Sequence, residues 1–158
     1  MTPARLIQGK NVLVTGGNRG IGLQFVKEFL GKGNKVLATS RNPESSSELQ
    51  TLAAANPDRL FVAPLDVSSP ASIAKLPSLV PFDHVDVAIN NAGLLIRKRF
   101  GEYTHEDMVD SFVTNSIGPL LLVQELVSKG KIGGKKSSII GMVTSKMGSI
   151  DDNGSGGR

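Results

Sequence analysis

The segment TGGNRGIG, residues 15–22, contains four glycines in eight positions. It follows the β-branched run NVLVT at Asn11–Thr15, which predicts a buried strand, and precedes residues 20–30, where apolar side chains recur at helical spacing. Glycine also serves ordinary turns, but a glycine-rich turn between a strand and a helix lets backbone approach a pyrophosphate at the helix amino terminus. The segment therefore predicts a phosphate-binding turn. Its candidate contacts are Thr15, Gly16, Asn18, Arg19, Gly20, Ile21 and Gly22.

The alternation of strand and helix continues along the chain. Further strands are predicted over residues 35–39, 59–65, 85–89 and 137–143. Further helices are predicted over residues 44–55, 71–79 and 104–128. Strands and helices that alternate at this spacing predict an α/β domain with a parallel sheet. The tail at 151–158, DDNGSGGR, has the composition of a loop.

The composition of the 158 residues excludes several classes of function. The chain has no cysteine, which removes disulfides, thiolate metal sites and a cysteine nucleophile. No apolar run approaches the ~18 residues that span a bilayer, and the first ten residues lack a signal-peptide core. We therefore expect a cytoplasmic protein without a membrane partner. His84 and His105 belong to no cluster with metal or triad spacing, so no metal is expected and both are predicted at the surface or at a strand edge.

The formal net charge of +4 raises the alternative of a nucleic-acid partner. Basic residues cluster at 97–99 and at 129–136. Aromatic residues make up only 4% of the chain, so no stacking platform for bases is visible. We interpret the clusters as solvated loop residues and expect no nucleic-acid partner.

Two further motifs follow the glycine-rich turn. Asp66-Val67 comes after the third predicted strand, and NNAG at 90–93 comes after the fourth. With the spacing Thr-Gly-x-x-x-Gly-x-Gly, they resemble the short-chain dehydrogenase/reductase family. The phrases GNRGIG, SRNP and MGSI resemble its branch of sniffer-type carbonyl reductases and C-factor-like proteins.

This resemblance runs from about Asn11 to the last residue and implies a fold. The expected domain is an NAD(P)-binding Rossmann domain over residues 1–158, incomplete at its carboxyl end. Its doubly wound parallel sheet would have the order 3-2-1-4-5 and stop after the fifth strand. The resemblance also adds cofactor contacts at Asp66, Val67, Asn90, Ala92 and Gly93.

The end of the second predicted strand indicates which nicotinamide cofactor is used. NAD leaves a free ribose hydroxyl for an acidic residue there, whereas NADP carries a phosphate that needs cations. Ser40 stands at that place, Arg41 follows it, and Arg19 lies within the glycine-rich turn. We therefore expect NADP(H) rather than NAD, with the two arginines flanking the 2′-phosphate. The alternative is that both arginines are only solvated.

A polar residue interrupts the apolar stripe of the long predicted helix. The stripe, spaced by three and four residues and expected to face the sheet, comprises Met108, Phe112, Asn115, Pro119, Leu122 and Leu126. We expect Asn115 to be buried and hydrogen-bonded, because a buried amide without partners costs ~1 to 3 kcal/mol. Pro119 has no N–H for the Asn115 carbonyl, which predicts a kink. The resemblance implies that Asn115 helps to hold a water of a proton relay, and a merely tolerated kink is the alternative.

The resemblance also implies catalytic residues. Ser145, after the last predicted strand, matches the family serine that hydrogen-bonds the substrate carbonyl. The family's proton donor is a tyrosine with a lysine four residues later. The single tyrosine of this sequence, Tyr103, precedes Asn115 in the chain and has Asp107 at that spacing. We therefore expect Asn115 and Ser145 to be catalytic residues, with the Tyr-x-x-x-Lys pair beyond the end of this sequence.

Two functions of different kinds follow. The first is an NADP(H)-dependent oxidoreductase of small carbonyl or alcohol substrates, represented by an incomplete chain. The alternative is a non-catalytic NADP(H)-binding or interaction module. A homo-oligomer is left open, because the apolar run at 137–143 would form a sheet edge able to pair with another copy.

Overall fold

The computed structural model describes residues 7–148, apart from the Met147 side chain, and is built on five parallel strands. The strands are β1 Asn11–Thr15, β2 Lys35–Ser40, β3 Leu60–Pro64, β4 Val87–Asn90 and β5 Ile139–Met142. Their order across the sheet is β3-β2-β1-β4-β5, which confirms the doubly wound order predicted from the sequence. The predicted loop at 151–158 and the end of the MGSI phrase lie outside the described residues.

Five α-helices connect the strands. They are α1 Gly20–Gly31, α2 Ser47–Ala54, α3 Pro70–Leu79, α4 His105–Phe112 and α5 Gly118–Ser128. The helix predicted over 44–55 is shorter than expected. Pro43–Ser45 forms a 3₁₀ turn, and α2 begins after it because the Ser46 hydroxyl accepts a hydrogen bond from the Leu49 N–H.

Apolar side chains cover both faces of the sheet. Val12 and Val14 of β1 pack in the cluster that includes Val26 of α1 and Leu49 of α2. Leu13, between them, packs on the other face with residues of α3 and α5. Burial on both faces is what a continuous apolar run in a parallel strand predicts.

The strand order reverses at β1, which lies between β2 and β4. The chain passes from β1 outward to β2 and β3, and then crosses back to β4 and β5. Val14 of β1 pairs with Ile89 of β4, so the carboxyl ends of these strands lie side by side. In doubly wound sheets, the crevice outside the strands at such a reversal is where ligands bind.

The long predicted helix is divided by a turn of π-helix at Val113–Ile117, here called the π-turn. The Gly118 N–H donates to the Val113 carbonyl, and Pro119 follows within the first turn of α5. The distortion expected near Pro119 is thus present, but as a π-turn. A π-turn inserts one extra residue into the helix, which rotates α5 relative to α4.

The apolar stripe predicted along this helix is correct only in α5. Pro119, Leu122 and Leu126 are buried, whereas Met108 and Phe112 are each 61% exposed. No residue of α4 is buried among those described. A regular spacing of three and four could not predict this, because the inserted residue breaks the helical phase between the two halves.

The two histidines differ from each other in burial. His105 is exposed, as predicted. His84, also predicted at the surface or a strand edge, is only 7% exposed, and its Nε2 lies 3.1 Å from the Ser138 hydroxyl. The surface placement of His84 was wrong, since the residue is buried and contacts Ser138, 54 positions along the chain and just before β5.

Strand β5 lies at one edge of the described sheet. Ile139 and Met142 are more than half exposed, and Ile140 and Val143 are 40% and 41% exposed. Self-association through this edge stays a prediction. Among residues 7–148, no helix combines the length and apolar character that crossing a membrane requires.

Candidate functional site

A groove of about 520 Å³ lies at the carboxyl ends of β1, β2, β3 and β4. Of the predicted cofactor contacts, all but Thr15 and Asn90 line it. The predicted residues that line it are Gly16, Asn18, Arg19, Gly20, Ile21, Gly22, Arg41, Asp66, Val67, Ala92 and Gly93. Four separate segments of the sequence therefore meet at the edge of the sheet where the strand order reverses.

Glycines shape the turn between β1 and α1. Gly16 and Gly20 have φ angles of +65° and +55°, in the left-handed region that disfavours side chains. A Cβ at Gly22 would collide with the Gly16 carbonyl oxygen and lie 2.5 Å from the Asn91 side-chain nitrogen. The first turn of α1, whose N–H groups have no partners within the helix, is thereby brought directly against the groove.

Thr15 and Asn91 lock this turn to the end of β4. The Thr15 hydroxyl accepts hydrogen bonds from the backbone N–H groups of Asn91 and Ala92, both at 3.0 Å. The Asn91 side chain donates to the carbonyls of Thr15 and Gly16 at 3.0 and 3.2 Å. Thr15 thus holds the glycine-rich turn in place without lining the groove. Asn91, which was not among the predicted contacts, does line the groove.

Asn90 takes a different position from its neighbour Asn91. Its side chain is buried, at 5% residue exposure, and the amide nitrogen lies 3.3 Å from the Met142 sulfur of β5. In the NNAG motif, the asparagine that ends β4 therefore contacts β5, and the asparagine after the strand lies at the groove.

One end of the groove holds Ser40, Arg41 and Asn42. The Ser40 hydroxyl is buried and has no hydrogen-bond partner within the described part of the chain. Buried hydroxyls are nearly always paired, because an unpaired one costs about 1 to 3 kcal/mol. Arg41 and Arg19 are exposed side chains that line the same groove. This end therefore offers two cations and an unpaired donor to an anionic group.

Asp66 lies on the groove directly after β3. Its carboxylate accepts hydrogen bonds from the Ser68 hydroxyl at 2.6 Å and from the Ser68 N–H at 2.9 Å. The Ser68 hydroxyl is the main cause of a lowered pKa of Asp66. Burial opposes the shift, and the Ser68 N–H and the charge of Arg41 add to it. Asp66 is therefore an ionised acceptor at neutral pH.

Asn115 belongs to the π-turn and is exposed, so its predicted burial was wrong. Its amide is nonetheless paired, as expected. The Leu94 N–H donates to Asn115 Oδ1, and Asn115 Nδ2 donates to the Leu94 carbonyl, both at 2.8 Å. Leu94 and Thr114 line the groove. Neither residue was predicted to line the groove. Thr114 lies in the π-turn, which the sequence did not predict.

Ser145 lies three residues beyond β5, at the carboxyl edge of the sheet. The Val143 N–H donates to the Asn90 carbonyl at 2.9 Å, which fixes this segment beside the end of β4. Ser145 is exposed and does not line the groove itself. Ser145 thus follows a strand that ends at the edge of the sheet where the groove lies, whereas Asn115 is linked to the groove through its hydrogen bonds with Leu94.

Tyr103 has a structural position in the loop before α4. Its hydroxyl donates to the Ile96 carbonyl at 3.2 Å and accepts from the Lys98 N–H at 3.3 Å. Asp107 accepts from Lys98 Nζ and from the Thr104 N–H, and Thr104 caps α4. The Lys98 ammonium is the main cause of a lowered pKa of Asp107. These contacts fold the loop on itself, and that Tyr103 is not the proton donor stays a prediction.

The fold and the groove together define a doubly wound α/β domain of the nucleotide-binding class. The chain belongs to the short-chain dehydrogenase family, whose family model matches residues 10–155. This confirms the family predicted from the motifs. Members of this family are oxidoreductases.

The chain is similar to proteins of known activity and structure. Over 105 residues it is 35% identical to the NADP-dependent 3-hydroxy acid dehydrogenase YdfG of Shigella flexneri, an alignment that covers 65% of this chain and 40% of that protein. The NADPH-bound carbonyl reductase from chicken fatty liver is 34% identical with a TM-score of 0.81, covering 93% of this chain and 61% of that one. A carbonyl reductase of Pseudomonas aeruginosa is 30% identical with a TM-score of 0.81, covering 93% and 66%. The chain therefore spans two fifths to two thirds of the length of these proteins.

Proposed function

We propose that this chain binds NADP(H) in the groove, as part of an NADP(H)-dependent oxidoreductase of small carbonyl or alcohol substrates. The observation that carries the proposal is the buried Ser40 hydroxyl, unpaired among the described residues, beside Arg41 on the wall of the groove. An anionic group at this end would supply the missing hydrogen-bond partner and meet the arginine charge.

The pyrophosphate of the cofactor would lie along the glycine-rich turn. The absence of a Cβ at Gly22 lets the start of α1, which begins at Gly20, pack directly against the Gly16 carbonyl. A phosphate there would accept hydrogen bonds from first-turn N–H groups and lie at the positive end of the helix dipole. The glycine-rich turn and the amino terminus of α1 support binding of a dinucleotide.

The 2′-phosphate of NADP(H) distinguishes it from NAD(H) and would lie between Arg19 and Arg41. No acidic residue follows β2 to accept a ribose hydroxyl, because Ser40 is followed by Arg41 and Asn42. The Ser40 hydroxyl would donate to a phosphate oxygen. The NADP-dependent YdfG and the NADPH-bound carbonyl reductase support the same choice.

Asn115 and Ser145 are proposed to act at the nicotinamide end. A bound NADPH supplies a hydride equivalent to a carbonyl carbon. The Asn115 side chain pairs with both backbone groups of Leu94, so it positions that segment, while its backbone carbonyl faces no N–H at Pro119 and would hold a water. Ser145 would donate a hydrogen bond to the substrate oxygen.

A second function is favoured by one observation, that the Tyr103 hydroxyl is hydrogen-bonded within its own loop. With Tyr103 held there and no other proton donor taking part, the protein would bind NADP(H) without turnover and act as a binding or interaction module. Turnover of a carbonyl panel with NADPH by this chain would exclude the second function. Its absence, with tight NADPH binding, would support it.

Titration of NADPH and NADH fluorescence tests the proposed cofactor. We expect NADPH to bind at least about tenfold more tightly than NADH, since a charge-assisted contact contributes about 1.5 kcal/mol or more. Arg41→Asp should remove that preference, whereas the control Arg97→Asp, at an exposed residue that does not line the groove, should keep it. Equal losses of NADPH and NADH binding in Arg41→Asp would refute the assignment of the 2′-phosphate.

A further inference from the structure

Gly118, the first residue of α5, makes an unusually close approach to the segment after β3. A Cβ built at Gly118 would collide with the carbonyl oxygen of Val67 and lie 3.2 Å from the carbonyl oxygen of Val113. Gly118 is buried, and its N–H donates to the Val113 carbonyl to close the π-turn. No side chain fits at this position without moving backbone on at least one side.

The two backbones that meet at Gly118 form two walls of the groove. Val67 lines the groove beside Asp66, and Thr114 lines it from the π-turn. Gly118 itself is not a lining residue. It therefore lies behind the groove, at the point where the segment after β3 contacts the helix that carries Thr114.

The same π-turn also holds a third lining segment. Asn115 follows Thr114 and binds both backbone groups of Leu94 at 2.8 Å. A displacement of the π-turn away from Val67 would therefore pull Leu94 and shift Thr114 together. The distance between Gly118 and Val67 fixes the relative positions of three separate groove segments.

We propose that Gly118 is a positioning residue that sets the width of the groove, so that its lack of a side chain is needed for tight cofactor binding. This inference rests on the proposed function. Restoring van der Waals distance to the Val67 carbonyl after a methyl is added requires a separation on the order of 1 Å. A misplacement of that size breaks hydrogen bonds that several groove groups must make to one ligand together, and each charge-assisted bond that is lost lowers the affinity about tenfold.

The test compares Gly118→Ala with Gly31→Ala. Gly31 ends α1, and a Cβ there meets nothing within 4 Å, so Gly31→Ala controls for the general effect of alanine in a helix. We expect Gly118→Ala to remain folded by circular dichroism and to bind NADPH at least about tenfold more weakly. NADH binding should fall by the same factor, because Ser40 and Arg41 are untouched. Gly31→Ala should bind as the wild type does.

The outcomes separate the two proposals. A folded Gly118→Ala that binds NADPH with wild-type affinity overturns this inference and leaves the proposed function standing. Absence of NADPH binding by the wild type overturns the proposed function, and this inference with it. If Gly118→Ala is less stable but its folded molecules bind NADPH with unchanged affinity, Gly118 contributes only to packing. This result also overturns the inference.

Amide hydrogen exchange on the wild-type protein tests the inference without any substitution. If Gly118 couples the two walls, NADPH should slow exchange of the Gly118 N–H together with the amides of Val67 and Ser68, although Gly118 does not line the groove. Slower exchange at Val67 with no change at Gly118 would overturn the inference. This measurement decides the matter even if Gly118→Ala fails to fold.

Discussion

Thr15 and Asn91, 76 positions apart in the chain, are joined by hydrogen bonds in both directions. The Thr15 hydroxyl accepts from the Asn91 N–H, and the Asn91 side chain donates to the Thr15 carbonyl, each at 3.0 Å. Through this pair, the first strand and the fourth strand hold the glycine-rich turn in place at the reversal of strand order. The fold and the groove therefore depend on the same contacts.

Replacing the Thr15 hydroxyl should destabilise the protein. Thr15→Val keeps the shape but leaves the N–H groups of Asn91 and Ala92 without their acceptor. We expect a loss of about 1 to 2 kcal/mol in the free energy of unfolding, measured by urea denaturation, because two half-buried donors lose their partner. Thr15→Ser keeps the hydroxyl and should lose less than half as much. Equal losses in Thr15→Val and Thr15→Ser would show that the Thr15 hydroxyl does not contribute this stability.

Asn34 should be the most sensitive buried polar residue for stability. It has no solvent exposure, accepts from the Lys10 N–H and donates to the carbonyls of Ile7 and Phe29, each at 2.9 Å. Asn34→Asp places a carboxylate against two carbonyls and should reduce the free energy of unfolding by about 3 kcal/mol or more.

A matched control exists for that change. The side chain of Asn56 also pairs with its neighbours, with Nδ2 donating to the Leu52 carbonyl, but it is only half-buried and accepts from the Arg59 guanidinium. Asn56→Asp should therefore change the free energy of unfolding by less than about 1 kcal/mol. A loss in Asn34→Asp no larger than in Asn56→Asp would show that the Asn34 contacts do not stabilise the fold.

Asp66 should give the protein a stability that depends on acid pH. Its folded pKa lies below the usual value of 3.8, chiefly because the Ser68 hydroxyl donates to the carboxylate. A carboxyl with a lowered folded pKa stabilises above its unfolded pKa and loses that contribution as the pH falls through the folded value. The difference in unfolding free energy between wild type and Asp66→Asn should thus be full above about pH 4 and shrink below it. Urea unfolding as a function of pH measures it, and a difference that grows toward acid pH would contradict the sign.

Sequence patterns were sufficient to predict the alternation of strands and helices. The bounds of β1 match the prediction at both ends because Val12, Leu13 and Val14 form an apolar run between polar residues. The glycine-rich turn was recognisable because its glycines follow a predicted strand and precede a predicted helix. The order of the strands followed from the family resemblance.

Contacts between distant residues and the helix distortion were not predictable. Pro119 indicates a missing N–H, but the sequence does not say whether the helix kinks or inserts a residue, and this choice decides that Met108 and Phe112 are exposed. The burial of His84 depends on Ser138, which no local pattern connects to it. Thr114 was not predicted to line the groove because the π-turn that contains it was not predictable.

The groove as a site for NADP(H) is tested most directly by calorimetric titration of NADPH into the wild type and into Gly22→Ala. A Cβ at Gly22 would collide with the Gly16 carbonyl and would therefore displace the glycine-rich turn along which the pyrophosphate is proposed to bind. We predict saturable binding by the wild type, unchanged binding by Gly31→Ala, and binding weakened by about 100-fold or more in a folded Gly22→Ala. No saturable binding by the wild type, or equal affinity in Gly22→Ala, would contradict the account.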